Sequence, residues 1–169
     1  MPHFILDGKE IQFIQGQTII EAAAKVGIDI PHFCWHPSLT VSGNCRVCLV
    51  EIEKMPKLAI ACSTLASDGM VVNTNSVKAL SARNAVMEFL LINHPLDCPI
   101  CDEAGECKLQ DYAFDHSVGE SRFVENKVHK EKRVSLGTHV MFDGERCISC
   151  SRCIRFCDEI AGVNELTFI

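Results

Sequence analysis

The chain has little that would span a bilayer, bind a nucleotide or read a nucleic acid. No apolar run reaches the roughly 18 residues that a membrane-crossing helix needs. The opening stretch MPHFILDGKE has no basic segment leading into a long apolar run, the pattern of a secretory leader. Cations are outnumbered, with 16 Lys and Arg against 22 Asp and Glu and a net charge of −6. That balance excludes the basic footprint of a nucleic-acid partner and the basic amphipathic helix of a membrane-surface protein. No G-x-G-x-x-G follows a strand, and there is no P-loop. No nucleophile stands beside a general base in any recognisable pattern, so no catalytic residue is expected.

Cysteine, in contrast, is abundant: eleven in 169 residues. The count is odd, and nine of them fall in sets with two-residue spacings: Cys45/Cys48, Cys98/Cys101/Cys107 and Cys147/Cys150/Cys153/Cys157. Disulfide frameworks belong mainly to secreted chains. With no leader in view, the thiols are expected inside the cell, reduced and free to bind metal. A module of about 40 residues cannot stabilise itself by apolar burial alone and usually needs a metal or cross-links. The length allows one ordinary domain or two to three small ones.

The organising stretch is HPLDCPICDEAGEC, residues 94–107, with spacing H-x3-C-x2-C-x5-C. Pro95, Pro99 and Gly105 make its backbone a series of turns. Cys98, Cys101 and Cys107 supply three thiolates, and His94 is the nearest candidate for a fourth ligand. A histidine in place of cysteine removes a negative charge from the iron and shifts its potential, as Rieske centres do in kind.

Ahead of this stretch, HFILDGKEIQFI (3–14) reads as a hairpin turning at Asp7-Gly8. Thr18-Ile19-Ile20-Glu21 matches a capping box, and Gly27 stops the helix that follows. Strands are expected at 46–53, 57–61 and 70–74. Hairpin, helix and further strands are the order of a β-grasp domain. It carries C-x10-C-x2-C-x13-C: Cys34, Cys45, Cys48 and Cys62. Plant-type [2Fe–2S] ferredoxins share this order with a shorter first gap. Four thiolates suit zinc as well as iron, but zinc sites more often pair two close C-x2-C units. Arg46 reads equally as charge compensation or as a surface residue. His32 and His36 read better as loop residues bonded to backbone than as ligands. An amphipathic helix is expected over 76–93, packing through Val77, Leu80, Val86, Phe89 and Leu90 and delivering His94 at its end. Met87 is expected in the core with Phe89.

Beyond it, Cys107 opens a short helix with Leu109, Tyr112 and Ala113 facing inward. Residues 117–140 alternate acids and bases and read as a solvated ribbon without chemistry, with short strands at 122–128 and 138–142. His129 and His139 read as surface residues. The final set, Cys147-x2-Cys150-x2-Cys153-x3-Cys157, is the bacterial [4Fe–4S] run, with Asp158 where proline usually stands. In two-cluster ferredoxins the fourth cysteine of this run serves the other cluster. Cys147, Cys150 and Cys153 are therefore expected as ligands, and Cys157 only as a weaker candidate. Twelve residues follow Cys157, none of them Cys, so the third site is expected to lack its fourth ligand here. Arg152 and Arg155 read as compensating cluster charge in preference to solvating the outer face of a helix over 151–161.

Three motifs in this order, with NHPLDCPICDEAGECKLQDY and ERCISCSRCIRFCDEIAG, closely resemble the large iron–sulfur subunit of respiratory complex I, the G subunit of NADH-quinone oxidoreductase. The same front end occurs in iron-only hydrogenases, NAD-linked hydrogenases and some formate dehydrogenases. The resemblance implies an α+β chain. A β-grasp [2Fe–2S] domain at 1–78 would precede a His/Cys3 [4Fe–4S] module at 79–118. A charged linker at 119–137 and a partial [4Fe–4S] ferredoxin-type module at 138–169 would follow. It implies one [2Fe–2S] and one to two [4Fe–4S] clusters, and an electron relay from a flavin-bearing, NADH-oxidising subunit towards quinone. It also implies a peripheral place on the cytoplasmic face of the inner membrane, or the matrix side in a eukaryote, with any membrane contact indirect. Family members run much longer, so a fragment or truncated subunit is expected. A zinc-stabilised interaction module without redox chemistry is the reading from another class.

Overall fold

The computed structural model describes residues 1–117 and 119–168. It divides into two units, Met1–Arg83 with Cys150–Ile169, and Asn84–Ser149.

In the first unit β1 (His3–Leu6) and β2 (Lys9–Gln12) form the hairpin. Asp7 and Gly8 both take positive φ, 48° and 80°, as a tight primed turn demands. The Asp7 carboxylate also accepts from the Thr74 backbone N–H (2.7 Å) and hydroxyl (2.6 Å), tying the turn to the end of a distant strand. Alternation buries Phe4 and Leu6 and leaves Ile5 outside. Helix α1 (Ile19–Lys25) starts at the expected capping box, with Thr18 and Glu21 each serving the other's backbone N–H. Strands β3 (Leu49–Ile52), β4 (Ala59–Ile60) and β5 (Val71–Asn73) complete a sheet of order β2-β1-β5-β3-β4. Only β1 and β5 run parallel, with Ile5 opposite Val71 and Leu6 opposite Val72. Ile19, Ile20 and Ala23 of α1 share a core with Phe4, Leu6, Val50 and Val72, the mixed-sheet α+β arrangement expected of a β-grasp. At the far end of this unit, α4 (Arg152–Phe156) runs into a π turn, Cys157–Ala161.

Helix α2 (Val77–Leu91) forms as expected, but its buried stripe does not match the expectation. Val77 and Phe89 are 85% and 77% exposed, whereas Ala79 and Arg83 are buried together with Met87, the last as expected. These three lie at i, i+4 and i+8, one face of a helix. The apolar residues are spread around the helix, so their spacing does not single out a face, and the buried side is settled by what Arg83 can reach.

The second unit holds a short 3-10 turn (Cys98–Ile100), α3 (Lys108–His116) and a hairpin of β6 (Val134–Ser135) and β7 (Met141–Phe142). Leu109 and Tyr112 are buried, as expected. The strand predicted over 122–128 does not form; that stretch is irregular. Its polar groups bond to side chains and helix ends. Lys127 Nζ donates to the carbonyls of Leu91 and Ile92, both at 2.8 Å, closing the C-terminal end of α2 where a cation is favoured. Val128 N–H donates to Asn93 Oδ1. The ribbon is largely exposed, as expected, but is pinned at Lys127 and Val128.

Candidate metal centres

The first cysteine set grows directly out of the sheet. Pairing of β3 with β4 sets Leu49 opposite Ile60 and Val50 opposite Ala59. Ala61 N–H then donates to the Cys48 carbonyl at 3.0 Å. This register brings Cys48, just before β3, beside Cys62, just after β4. Arg46 takes a left-handed φ of 59°, which folds the chain tightly between Cys45 and Cys48; its side chain is exposed. Cys34 N–H donates to Cys45 Sγ at 3.4 Å. Cys34, Cys48 and Cys62 are buried and Cys45 half-buried.

The four thiols touch in series, Cys45 to Cys34, Cys34 to Cys62 and Cys62 to Cys48, and none is in a disulfide. Thiol donation from Cys45 and then Cys62 holds Cys34 far below the ordinary thiol range. The Cys34 contact pushes Cys45 far up, and contacts with Cys34 and Cys48 do the same to Cys62. Cys62 in turn lowers Cys48. Such a quartet keeps some of its protons, since negative charges this close cannot all persist without a cation. A metal centre that replaces those protons fits the donor set, and four soft sulfurs suit iron with sulfide. A [2Fe–2S] group, when bound, supplies a one-electron acceptor. The chain would hold the sulfurs, exclude water with the core that includes Trp35, and direct backbone N–H groups of Asn44, Cys45 and Val47 at them. His32 and His36 are engaged with backbone instead. His32 Nδ1 donates to the Ile30 carbonyl at 2.7 Å, and His36 Nδ1 accepts from Ser38 N–H.

The second set lies in the second unit on turns, without a hydrophobic enclosure. Cys98 starts the 3-10 turn and is exposed; Cys101 and Cys107 are half-buried, and Cys107 caps α3. His94 follows α2 and lines a small cleft with Asn93, Glu145 and Cys147. Burial, and next the charge of Lys127, hold its imidazole below the ordinary histidine range. A neutral ring with a free lone pair is the form that can bind a metal. Of the third set, Cys147 belongs to the second unit, and Cys150, Cys153 and Cys157 to the first. Cys147 and Cys153 are exposed, Cys150 and Cys157 half-buried. Among the described residues, no three His, Cys, Asp or Glu side chains close on a point that a single ion would fill. The contacts within the first set are pairwise.

Three polar groupings escape a reading by spacing. Arg83, 1% exposed, donates to the carbonyls of Val47 (Nε, 3.2 Å), Thr74 (Nη2, 3.2 Å) and Leu49 (Nη2, 3.5 Å). It thereby braces the segment that carries Cys48. In the second unit Asp97, next to Cys98, accepts from Lys132 (2.6 Å) and Arg146 (3.3 Å). Lys132 also reaches the buried Glu145 (2.9 Å), which accepts from His129 and from Lys130 N–H. This network joins the stretch before Cys98 to the stretch before Cys147. Finally, Arg152 and Arg155 are half-buried and bonded to distant carbonyls. Arg152 donates to the Trp35 carbonyl (2.7 Å), and Arg155 to those of Cys34 and Thr40. The sequence signal for these two is only the recurrence of arginine among the ligands, R-C-I-R-F-C, which does not point to their distant partners.

A ferredoxin-like sheet with a thiol quartet, three of its members buried, followed by two further cysteine runs, defines an iron–sulfur protein with several centres. Residues 2–77 match the 2Fe-2S iron-sulfur cluster binding domain, and residues 83–122 the NADH-ubiquinone oxidoreductase-G iron-sulfur binding region. Residues 137–169 match the ferredoxin-like domain of NADH-quinone oxidoreductase subunit 3. The chain is 50% identical over 161 residues to the NADH-quinone oxidoreductase G subunit of Rickettsia felis, covering 95% of this chain and 24% of that relative. It is also 50% identical over 166 residues to the G subunit of Rickettsia typhi, covering 98% and 24%. A solved NAD+-reducing [NiFe]-hydrogenase in the H2-reduced state is similar at 33% identity and a TM-score of 0.82, over 92% of this chain and 65% of that one. The chain belongs to the family of NADH-quinone oxidoreductase G subunits. It spans about a quarter of the length of the curated relatives it matches.

Proposed function

We propose that the chain is an electron-transfer segment of NADH-quinone oxidoreductase, taking electrons from an NADH-oxidising flavin subunit and relaying them towards quinone. Cys34, Cys45, Cys48 and Cys62 hold a [2Fe–2S] cluster. His94, Cys98, Cys101 and Cys107 hold a [4Fe–4S] cluster. Cys147, Cys150 and Cys153 contribute to another, and Cys157 does not ligate. The observation that carries this reading is the quartet of contacting thiols, three buried and one half-buried and none in a disulfide, inside a sheet domain, in one chain with two further cysteine runs. The protein has no reaction of its own; it ligates, spaces and tunes. It sits peripherally, on the cytoplasmic face of the inner membrane or the matrix side, through its partners. No helix among the described residues is long and apolar enough to cross a membrane.

Anaerobic loading with iron and sulfide tests it. The expected product is brown, with a [2Fe–2S] EPR signal on reduction and a second signal that is lost in His94→Ala. Cys157→Ser is expected to retain every centre. A colourless protein that takes up zinc alone would overturn the reading. The similarity to the NAD+-reducing hydrogenase supports a second context, the iron–sulfur front end of such an enzyme. Isolation of the native assembly separates the two: NADH-dependent quinone reduction marks the first, and hydrogen-dependent NAD+ reduction the second.

A further inference from the structure

The segment after Cys147 reaches back to the loop of the first cysteine set across more than a hundred residues of sequence. The Arg155 guanidinium organises the contact. Its Nη2 donates to the carbonyl of Cys34 and, at 3.5 Å, to that of Cys150; its Nη1 donates to the Thr40 carbonyl; its Nε donates to Ser151 Oγ at 3.2 Å. Ser151 Oγ donates in turn to Ser42 Oγ at 3.1 Å. Glu159, one turn beyond Arg155, accepts from both the backbone N–H and the hydroxyl of Thr40. All these residues belong to the first unit. The planar fork suits such bridging, because it presents five donors in fixed directions and stays charged at any accessible pH.

We infer that Arg155 is a positioning residue shared by two centres: it joins the backbones of Cys34 and Cys150 and sets a fixed positive charge beside the first cluster. The inference rests on the reading above that Cys34 and Cys150 bind iron. One-electron reduction adds a negative charge to a cluster. A fixed cation nearby stabilises the reduced form, and a fixed anion disfavours it. Arg155 and Glu159 hold the same loop with opposite charges, so they separate an electrostatic role from a mechanical one. If both were only clamps, removing either would loosen the loop and move the potential in the same direction. If charge acts, removing them moves the potential in opposite directions.

The test is a redox titration of the iron-loaded full chain, followed by the EPR signal of the reduced [2Fe–2S] centre, with iron and sulfide content as the check on loading. Arg155→Met is expected to lower the ratio of reduced to oxidised centre at a fixed solution potential about tenfold, the scale of one charge-assisted hydrogen bond. Arg155→Lys, which keeps the charge and loses the fork, is expected to stay within about twofold. Glu159→Gln is expected to raise the ratio, by less, because its carboxylate is exposed and screened. Shifts of the same sign in Arg155→Met and Glu159→Gln, or no shift in fully loaded Arg155→Met, would overturn the inference. If Arg155→Met does not load, Glu159→Gln decides alone: a ratio equal to or below the unaltered protein's overturns it. A protein that shows no [2Fe–2S] signal before any substitution refutes the functional reading instead, and is distinguishable for that reason.

Discussion

The first cysteine set and the second are held by different physics. Cys34, Cys48 and Cys62 sit among Ile20, Trp35, Val50 and Ala61, and two of them belong to the core itself. Their loss removes packing and, on the proposed reading, ligands as well. Cys98, Cys101 and Cys107 stand on turns in a unit with few buried apolar residues, where Asp97, Lys132, Glu145 and Arg146 link the strands of chain. Apart from the buried Glu145, these are partly exposed pairs, and such pairs contribute little singly. The sheet domain is therefore expected to keep much of its fold without metal. The second unit, with little core to fall back on, is expected to draw its order from the centre proposed for it.

The comparison breaks most visibly at matched cysteines. Cys62→Ala is expected to abolish the [2Fe–2S] signal and to cost the sheet domain about 2 kcal/mol or more, as a buried side chain and a shared centre are lost together. Cys98→Ala is expected to abolish the second signal, free the amides of residues 94–116 to exchange, and leave the thermal transition of the sheet domain in place. Paired denaturation and hydrogen exchange measure both. If Cys98→Ala melts the sheet domain as Cys62→Ala does, the two regions are one cooperative body and the contrast fails.

Arg83 comes next. Replacing it with Met leaves carbonyls of Val47, Leu49 and Thr74 without their donor, in a site 1% exposed. Unsatisfied buried groups cost about 1–3 kcal/mol each before relaxation, so a loss of about 3 kcal/mol is expected in urea denaturation of the metal-free protein. A loss below about 1 kcal/mol would mean that water replaces the guanidinium without penalty.

Arg83 also shows where sequence reading stops. The Asp7-Gly8 turn, the Thr18/Glu21 box and the thiol spacings are all legible, because each is written within a few residues and obeys local geometry. The partners of Arg83 lie as far as 36 residues away, and nothing in an α-helical repeat marks a buried cation. The same holds for Arg155, whose carbonyl partners at Cys34 and Thr40 precede it by more than a hundred residues. The strand expected over 122–128 fails for the converse reason. Acids and bases with Phe123, Val124 and Val128 between them suggest a strand locally, but the backbone of Val128 is taken by Asn93 and the Lys127 amine by the end of α2. Apolar spacing likewise puts Val77 and Phe89 on the buried face of α2, where both are exposed, although Met87 is inside as expected.

His94 sharpens the contrast at the second centre. His94→Cys is expected to keep a [4Fe–4S] signal and to shift its potential downward, since a thiolate adds negative charge where a neutral imidazole stood. The low proton affinity that burial and Lys127 confer on the ring is consistent with that neutral form. Redox titration reads the shift, and an unchanged potential in His94→Ala would make the ring a spectator. The sheet-domain potential is expected to stay fixed in either variant.

The smallest effect belongs to the surface pair Glu88 and Arg122, joined by two hydrogen bonds with Arg122 80% exposed. Arg122 holds the Glu88 carboxyl below the ordinary value of 4.5. The sign follows from linkage. The folded carboxylate is favoured, so the pair's contribution is fully present above the unfolded value and disappears as pH falls through the lower folded one. Arg122→Ala is therefore expected to differ from the unaltered protein only slightly at neutral pH and low salt. The difference should vanish in high salt and again in acid below the folded Glu88 titration. Thermal melts at two salt concentrations, followed from neutral pH down into acid, suffice to track it. A difference that survives salt would assign Arg122 a packing role along α2 and make the second unit less dependent on charge than its surface suggests.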